Sequence, residues 1–379
     1  MGVLMANNSK KDTHIFIFDA EPGMIISRDI FATDGKLIAG KETKLDIDVI
    51  AKISSYQILE IYVYEKQVES VGHIQAATAS VAAGNSNSVN YYDRIRSGAE
   101  FKKFQDSYND SLDSLKVHLD DILNGGKDVD TNSILGNSDL LISANKNKLR
   151  MLDMLHSIRQ HSDSTYAHCV NVAIVASIIG HWLKYSDEDI EVLITAGLLH
   201  DIGKLTIDAS LVNKPGKLTP HEYEILKAHV NNGHEYIKDS DLDPRIKDAV
   251  LLHHEKCDGS GYPYGLKSSQ IPPFAKIIAI ADIYDAMTAK RSYRGAICPF
   301  EVIHLMEKEA FTTLDPEYVL PFLKNIVASY LHTNVQLSDG RTGEVILIND
   351  RDLSRPIVKC GDAFIDLSKE TNLIITAIL

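Results

Sequence analysis

The sequence has few cysteines, no long apolar run and no excess of basic residues. Its four cysteines, at positions 169, 257, 298 and 360, are scattered through 379 residues and form no Cys-X-X-Cys pair. This pattern argues against a disulfide framework or a thiolate metal site and favours a reduced cytoplasmic chain. No apolar stretch approaches the roughly 20 residues of a membrane-spanning helix, and no basic-then-apolar leader opens the chain. We therefore expect a soluble, cytoplasmic protein without a membrane partner.

The net charge of −13 also narrows the choice of partner. Without a sequence-wide basic surface, a nucleic-acid polymer is not expected to bind. A small anionic ligand is still compatible if metal ions and local Arg or Lys side chains supply the positive charge. The length and the 44% of hydrophobic residues allow about two globular domains with ample core.

Changes in composition and hydrophobic periodicity divide the chain into four segments. Residues 1–75 are predicted to form a small α+β regulatory module, because β-rich runs at 15–18 and 61–64 flank a helical spacing over 46–59. Residues 76–136 hold a linker rich in Ala, Ser, Asn and Gly and then an amphipathic helix. Residues 137–334 have mostly helical hydrophobic spacing, and residues 335–379 again contain short β-rich runs. The predicted fold class is mainly α, with a small α+β module before the helical domain and a β-rich appendage after it.

The amphipathic helix predicted over residues 101–122 carries an apolar stripe. Its members recur at steps of three and four: Phe101, Phe104, Tyr108, Leu112, Leu115, Leu119 and Ile122. Two interpretations stay open. The stripe packs within its own chain, or it forms the seam of a homodimer, although three heptads are short of a convincing coiled coil.

Histidine and aspartate recur at positions where helical spacing predicts an inward face. Ile190, Ile194, Gly197 and Asp201 follow steps of four, three and four, which puts a carboxylate on an apolar helix face. A buried carboxylate is unfavourable unless it is paired or binds a metal. An ionisable side chain on an otherwise apolar helix face recurs on other predicted helices, at His168, His229, His253 with His254, and Asp282. Gly203, just after the first of these helices, is predicted to stop it.

So many inward His and Asp side chains in one helical domain predict a metal centre, whereas a single one would more often be a hydrogen-bonded core residue. Neutral imidazole and carboxylate without thiolate suit Fe, Mn, Ni, Co or Zn. Two such ions ~3.5–4 Å apart could share a bridging carboxylate or hydroxide and hydrolyse a phosphoester in line.

Several short motifs occur in a fixed order through this region. They are His200-Asp201-Ile202-Gly203-Lys204, His253-His254-Glu255, Asp258-Gly259-Ser260-Gly261-Tyr262-Pro263, Ala281-Asp282 and Arg291-Ser292-Tyr293-Arg294. In this ordered set, over residues 150–330, the chain resembles the HD superfamily of metal-dependent phosphohydrolases, and specifically its HD-GYP branch. The resemblance implies a helical HD-type catalytic domain that hydrolyses cyclic di-GMP to linear pGpG and in many cases onward to GMP.

The same resemblance implies roles for individual residues. Asp201 is the candidate bridging ligand, and Lys204 would lie beside the metals, contacting a phosphate or protonating the leaving alkoxide. The implied metal ligands are His168, His200, Asp201, His229, His253, His254 and Asp282.

The substrate site implied by the resemblance combines a loop with two cations. Gly261, Tyr262 and Pro263 would shape the pocket, with Tyr262 near a base or phosphate. Arg291 and Arg294 would clamp phosphate oxygens with their planar guanidinium groups. For the two arginines, ordinary helix-end cations favoured by the helix dipole are the alternative interpretation.

One position departs from some members of the family, which carry a Glu four residues before the first His ligand and hold three metals. Here that position is Ser164, and a neutral hydroxyl is a poor ligand for a hard cation. We therefore expect two divalent transition metal ions per chain, iron or manganese, with a third only if another group such as Asp163 replaces the missing Glu.

The leading hypothesis is a cyclic di-GMP phosphodiesterase in which a metal-bridged hydroxide attacks phosphorus without a covalent intermediate. Two alternatives stay open: a receptor that binds cyclic di-GMP without turnover, and a hydrolase of another cyclic dinucleotide.

Overall fold

The computed structural model describes residues 12–16, 20, 23–31, 36–46, 49, 53, 60–64, 95–125, 148–158, 164–214, 218–288 and 298–379. The chain divides into two compact units, residues 1–86 and 87–379. Most of the helix predicted over 46–59 and most of the linker predicted over 75–98 lie outside the described residues, as do Asp163, Arg291 and Arg294.

The first unit is built from two short antiparallel strand pairs. Its strands are β1 (Asp12–Phe16), β2 (Ile30–Phe31), β3 (Leu37–Ala39) and β4 (Glu60–Tyr64). β1 pairs with β4 and β2 pairs with β3. A small core of buried apolar side chains includes Ile26, Leu45, Ile53 and Ile61. Both β-rich runs predicted in this region overlap these strands.

The second unit is helical over most of its length. Its helices, among the described residues, are α1 (Ala99–Leu123), α2 (Lys148–Ile158), α3 (Thr165–Trp182), α4 (Asp187–Leu199), a 3₁₀ helix (Ile202–Thr206), α5 (Ala209–Val212), α6 (Pro220–Lys227), α7 (His229–Ile237), α8 (Pro244–Leu252), a second 3₁₀ helix (Ser268–Gln270), α9 (Pro273–Thr288), α10 (Pro299–Glu309) and α11 (Pro316–Ser329). Several begin at a proline, which suits the first helical position because its missing N–H would have no partner there.

The central helix of this unit is α3, which is apolar on all sides and packs against both α4 and α9. It crosses α4 in backbone contact: a Cβ added at Gly197 would lie 2.6 Å from the Cα of Ala173. Only glycine allows this approach, which brings the first turn of α3 close to the end of α4.

The apolar stripe of α1 packs within its own chain. Its aromatic and aliphatic side chains belong to the same buried core as those of α3. The hydroxyl of Tyr108 also donates a hydrogen bond to Oδ1 of Asn171 on α3, at 2.8 Å. The structure thus supports the intramolecular interpretation. Because the stripe is buried within its own chain, it is not exposed to form the predicted homodimer seam through residues 101–122.

The C-terminal residues form an antiparallel sheet. Its strands are β5 (Asn334–Leu337), β6 (Thr342–Leu347), β7 (Ile357–Cys360), β8 (Ala363–Asp366) and β9 (Ile375–Ile378), in the order β8-β7-β6-β5-β9. The predicted fold class, mainly α with a small α+β module before and a β-rich appendage after, is confirmed. Among the described residues, no helix has the length and apolar character to span a membrane.

Candidate metal centre

The structure brings together all seven side chains that the resemblance implied as metal ligands. Their donor atoms form two groups, within each of which the atoms lie no more than 4.8 Å apart. The first group is Asp201, His229, His253 and His254, and the second is His168, His200 and Asp282. These residues lie in or beside several different helices and point inward together, as their helical spacing predicted.

The carboxylate of Asp201 lies between the two groups and faces both. Its Oδ1 atom is 3.3 Å from Nε2 of His229 and 3.8 Å from Nε2 of His253. Its Oδ2 atom is 3.4 Å from Nε2 of His168 and 3.4 Å from Nε2 of His200. One carboxylate with an oxygen directed at each ligand group has the arrangement that a bridging ligand requires.

Gly203 fixes the position of this carboxylate by a close backbone approach. α4 ends at Leu199, and Asp201 precedes the 3₁₀ helix that contains Gly203. A Cβ at Gly203 would lie 1.9 Å from the main-chain oxygen of His229. The prediction of Gly203 as a helix stop is therefore wrong: it lies inside the next helix, where it lets the backbone of α7 press against the segment that carries Asp201.

Main-chain carbonyl groups set the orientation of three ligand histidines. Their Nδ1 atoms lie 2.7–3.1 Å from carbonyl oxygens: His200 to Gly197, His229 to Leu226, and His253 to Ala249 and Val250. Because a carbonyl only accepts, each Nδ1 must carry the proton. Each Nε2 then presents its lone pair towards Asp201, the tautomer that binds a metal.

His168 is held on both of its ring nitrogens by carboxylates. Its Nε2 is 3.1 Å from Oδ1 of Asp282, and its Nδ1 is 2.7 Å from Oδ2 of Asp285. Burial lowers the pKa of His168, but hydrogen bonds to Asp282 and Asp285 outweigh it and raise the pKa to about 10. The surroundings therefore favour positive charge at this point, which a divalent cation also carries. Asp285 contacts the far side of the ring, as expected of a group that orients a ligand.

The buried polar atoms of the first group fit a metal ion. Asp201 Oδ1, His229 Nε2 and His253 Nε2 are buried, and the described residues offer them no hydrogen-bond partner. Such atoms are costly unless something coordinates them. Burial, together with the neighbouring His254 and His200, holds the pKa of His253 well below its usual value, and burial lowers that of His254 to about 3. Neutral imidazoles and a carboxylate are a donor set for a divalent transition metal.

Lys204 lies at the edge of the cluster, as the resemblance implied. Its Nζ donates to Oδ2 of Asp201 at 2.6 Å. Burial lowers the pKa of Lys204, but Asp201 and Asp282 outweigh it and raise the pKa above its ordinary value. The ammonium group is thus stable beside Asp201, and a fifth of its side chain is exposed (20%).

The loop of residues 258–263 is docked against the ligand pair His253-His254. A Cβ at Gly261 would lie 2.3 Å from the main-chain nitrogen of Lys256, so glycine is required there. The N–H of Tyr262 donates to the carbonyl of His254 at 3.1 Å, and its ring stacks on the His254 ring with centroids 4.7 Å apart. Pro263 follows, half-buried. The predicted pocket loop therefore forms a wall of the metal centre.

Glu255 holds the continuation of this loop, a role that the sequence did not indicate. The side chain is buried, and its carboxylate accepts three main-chain N–H bonds, from Tyr264 and Gly265 at Oε1 and from Leu266 at Oε2. An acidic residue directly after the ligand pair was the available signal. The number of amides that it gathers depends on how the loop folds back.

Three other polar side chains of the helical unit have ordinary structural contacts. Ser164 caps α3, accepting a hydrogen bond from the N–H of Ala167 at 3.2 Å. His156 contacts the hydroxyl of Tyr284, and the Nδ1 of His181 lies 2.7 Å from a carbonyl of its own helix.

Comparison with known proteins gives a family match for the helical unit. The HD domain family matches residues 149–318. A cyclic di-GMP phosphodiesterase of Pseudomonas aeruginosa is 34% identical over 226 residues, 59% of this chain and 54% of that protein. The 3'3'-cGAMP-specific phosphodiesterase 3 of Vibrio cholerae is 36% identical over 156 residues, 41% of this chain and 34% of its own length. A cyclic di-GMP phosphodiesterase of Thermotoga maritima is 35% identical over 178 residues, 46% of this chain and 48% of that protein. The chain thus spans about half or less of the length of these relatives.

Proposed function

We propose that this chain, whose residues 149–318 match the HD domain family, belongs to its HD-GYP branch and is a metal-dependent phosphodiesterase that hydrolyses cyclic di-GMP to linear pGpG and onward to GMP. The observation that carries the proposal is the carboxylate of Asp201, which has one oxygen towards each of two ligand groups. Relatives named as cyclic di-GMP phosphodiesterases support the choice of substrate.

The seven clustered residues would hold two divalent transition metal ions, which we propose to be iron or manganese. His229, His253 and His254 would bind one ion, and His168, His200 and Asp282 the other, with Asp201 shared between them. Bound ions of this kind polarise a phosphate oxygen and make water a stronger nucleophile at neutral pH.

Lys204 is the residue best suited to act on the phosphate or the leaving group. Its raised pKa keeps a proton on Nζ at neutral pH, 2.6 Å from Asp201 Oδ2. We propose that this ammonium contacts a non-bridging phosphate oxygen or donates its proton to the departing alkoxide. Burial raises the pKa of Tyr262, so its hydroxyl stays neutral and can donate a hydrogen bond to substrate. Arg291 and Arg294, which are not among the described residues, would clamp phosphate oxygens.

We further propose that residues 137–334 contain the catalytic domain and that residues 1–75 regulate it. Residues 76–136, whose helix α1 packs into the core of the helical unit, would then connect the two, and residues 335–379 would form an appendage. The four free cysteines support a reducing, cytoplasmic setting.

The decisive experiment is hydrolysis of cyclic di-GMP by protein loaded anaerobically with Fe(II) or Mn(II), followed by chromatography. We expect pGpG to appear first and GMP later, with no product from Asp201→Ala protein. Cyclic di-GMP that binds but survives would identify a receptor instead of an enzyme.

A second substrate, 3'3'-cGAMP, is favoured by the relatives from Vibrio cholerae that carry this specificity in their names. The ratio of kcat/KM for the two cyclic dinucleotides in one preparation decides between them. A value above one for cyclic di-GMP supports the leading proposal, and the reverse ratio would replace it.

A further inference from the structure

Tyr223 is a large aromatic side chain exposed beside the candidate metal centre. It is 47% exposed and lies on α6. The start of that helix is fixed by a capping box between Thr219 and Glu222, and Lys214 also binds the Glu222 carboxylate at 2.7 Å. A single residue separates α6 from the ligand His229, which opens α7. The position of Tyr223 relative to the ligands is therefore set by short, well-anchored backbone.

Three aromatic rings lead from the metal centre to the surface at this point. The ring of His254 is stacked with that of Tyr262 at 4.7 Å, and Tyr262 meets Tyr223 edge to face, with centroids 6.5 Å apart and planes at 79°. Tyr262 is half-buried, whereas Tyr223 is exposed. Next to a site for a phosphodiester, an exposed ring at the end of such a row offers a face on which a base can stack.

Lys227 places a cation over both tyrosine rings. It lies one turn after Tyr223 on the same helix face, with Nζ 5.3 Å from the Tyr223 centroid and 5.7 Å from the Tyr262 centroid. Nζ also pairs with Glu224 at 2.7 Å, but that carboxylate is 67% exposed. Exposed ion pairs are weak, so the ammonium can change partner at little cost.

We propose that Tyr223 and Lys227 bind one base of the substrate, with Tyr223 stacking on the ring and Lys227 donating to guanine O6 and N7. The inference rests on the proposed function, because it takes the substrate to be a guanine-containing cyclic dinucleotide. Guanine presents two acceptors on that edge, whereas adenine has an amino group in place of O6. A lysine here therefore selects guanine over adenine. The ring of Tyr262 lies between that of Tyr223 and that of the ligand His254, which separates the base site from the metal ligands.

The first test separates the base from the phosphate. Tyr223→Ala should raise KM for cyclic di-GMP about 10-fold and change kcat less than about 2-fold, whereas Tyr223→Phe should behave as the parent does. Tyr236→Ala is the matched control, because Tyr236 is similarly exposed, at 45%, on α7. Hydrolysis of bis(p-nitrophenyl) phosphate, which has no purine, should be unchanged in all three variants, and elemental analysis should show unchanged metal content.

The second test addresses guanine selection without requiring turnover. Calorimetric titration of metal-loaded protein with GMP and with AMP gives their affinity ratio. Lys227→Met should reduce the ratio of GMP affinity to AMP affinity about 10-fold. Tyr223→Ala should weaken the binding of both nucleotides to a similar extent.

The outcomes of the two tests are distinguishable. If the parent protein fails to cleave cyclic di-GMP but Tyr223→Ala still weakens GMP binding, the proposed activity is wrong and the base site is supported. If both variants bind GMP and AMP as the parent does, with metal content intact, the base site is overturned whatever the activity. A fall in hydrolysis of bis(p-nitrophenyl) phosphate equal to that of cyclic di-GMP would show a structural role and would also overturn it.

Discussion

Asp201 contacts both ligand groups, so its removal should affect both metals together. In Asp201→Ala the imidazoles of His229 and His253 lose the negative charge between them and His200. We expect metal content to fall towards zero and hydrolysis to decrease by at least about 100-fold. Elemental analysis, with far-ultraviolet circular dichroism to verify that the helices persist, measures the effect. Near-normal hydrolysis by a variant of verified metal content would exclude Asp201 as a shared ligand.

Glu255 should affect substrate binding more than metal binding. Its replacement by Ala leaves three amide donors of the loop, those of Tyr264, Gly265 and Leu266, without their acceptor, at a cost of about 1–3 kcal/mol each if they stay buried. We expect a KM for cyclic di-GMP about 10-fold higher, with the metal content retained. Glu188→Ala, which removes an exposed carboxylate from the first turn of α4, is the control. If Glu255→Ala lost metal to the same extent as it lost affinity for cyclic di-GMP, the role of Glu255 would be to position the ligands His253 and His254 and not the loop.

At the scale of single elements, the start of α3 bears on the number of metals. Ser164 is the N-cap of that helix, four residues before His168. We expect two metals per chain. Ser164→Ala should lower the free energy of unfolding by about 1 kcal/mol through the lost cap and leave the metal content at two. Chemical denaturation and elemental analysis on the same samples measure both quantities. Three metals in the parent protein would show that another group completes a third site.

The outcome for each element shows what periodicity can and cannot predict. Helical spacing predicted that His229 and Asp201 lie on inward faces, because this pattern depends on residues close in sequence. The same spacing carried the helix through Asp201, whereas α4 ends at Leu199. Periodicity does not reveal that Gly203 must admit the backbone of another helix, nor that Glu255 gathers amides from a loop, since both depend on tertiary approach.

At the scale of the whole molecule, the packing of α1 determines where the chain can be shortened. Its apolar side chains share one core with α3 and the helices around it. A chain beginning at residue 87 should therefore keep metal binding and hydrolysis, whereas one beginning at residue 137 should lose this packing and unfold at a temperature lower by several degrees. Differential scanning calorimetry and metal analysis of both truncations test this. Equal melting temperatures for the two truncations would show that α1 contributes nothing to the stability of the core. Loss of activity in the chain that begins at residue 87 would show that residues 1–86 take part in the reaction.

We expect the hydrogen bond from Tyr108 to Asn171 to link the docking of α1 to the binding of metal. Asn171 is on α3, three residues after the ligand His168. Thermodynamic reciprocity then requires that metal binding strengthen the docking of α1 by the same factor by which docking strengthens metal binding. We expect Tyr108→Phe to weaken metal affinity roughly 5-fold, measured by competition with a chromophoric chelator, and the metal to protect the amides of α1 less in the variant than in the parent. An unchanged affinity would mean that the two equilibria are independent. If they are linked, occupancy of the metal centre is itself a signal that α1 reports, and any input that moves α1 sets the metal concentration at which the protein works.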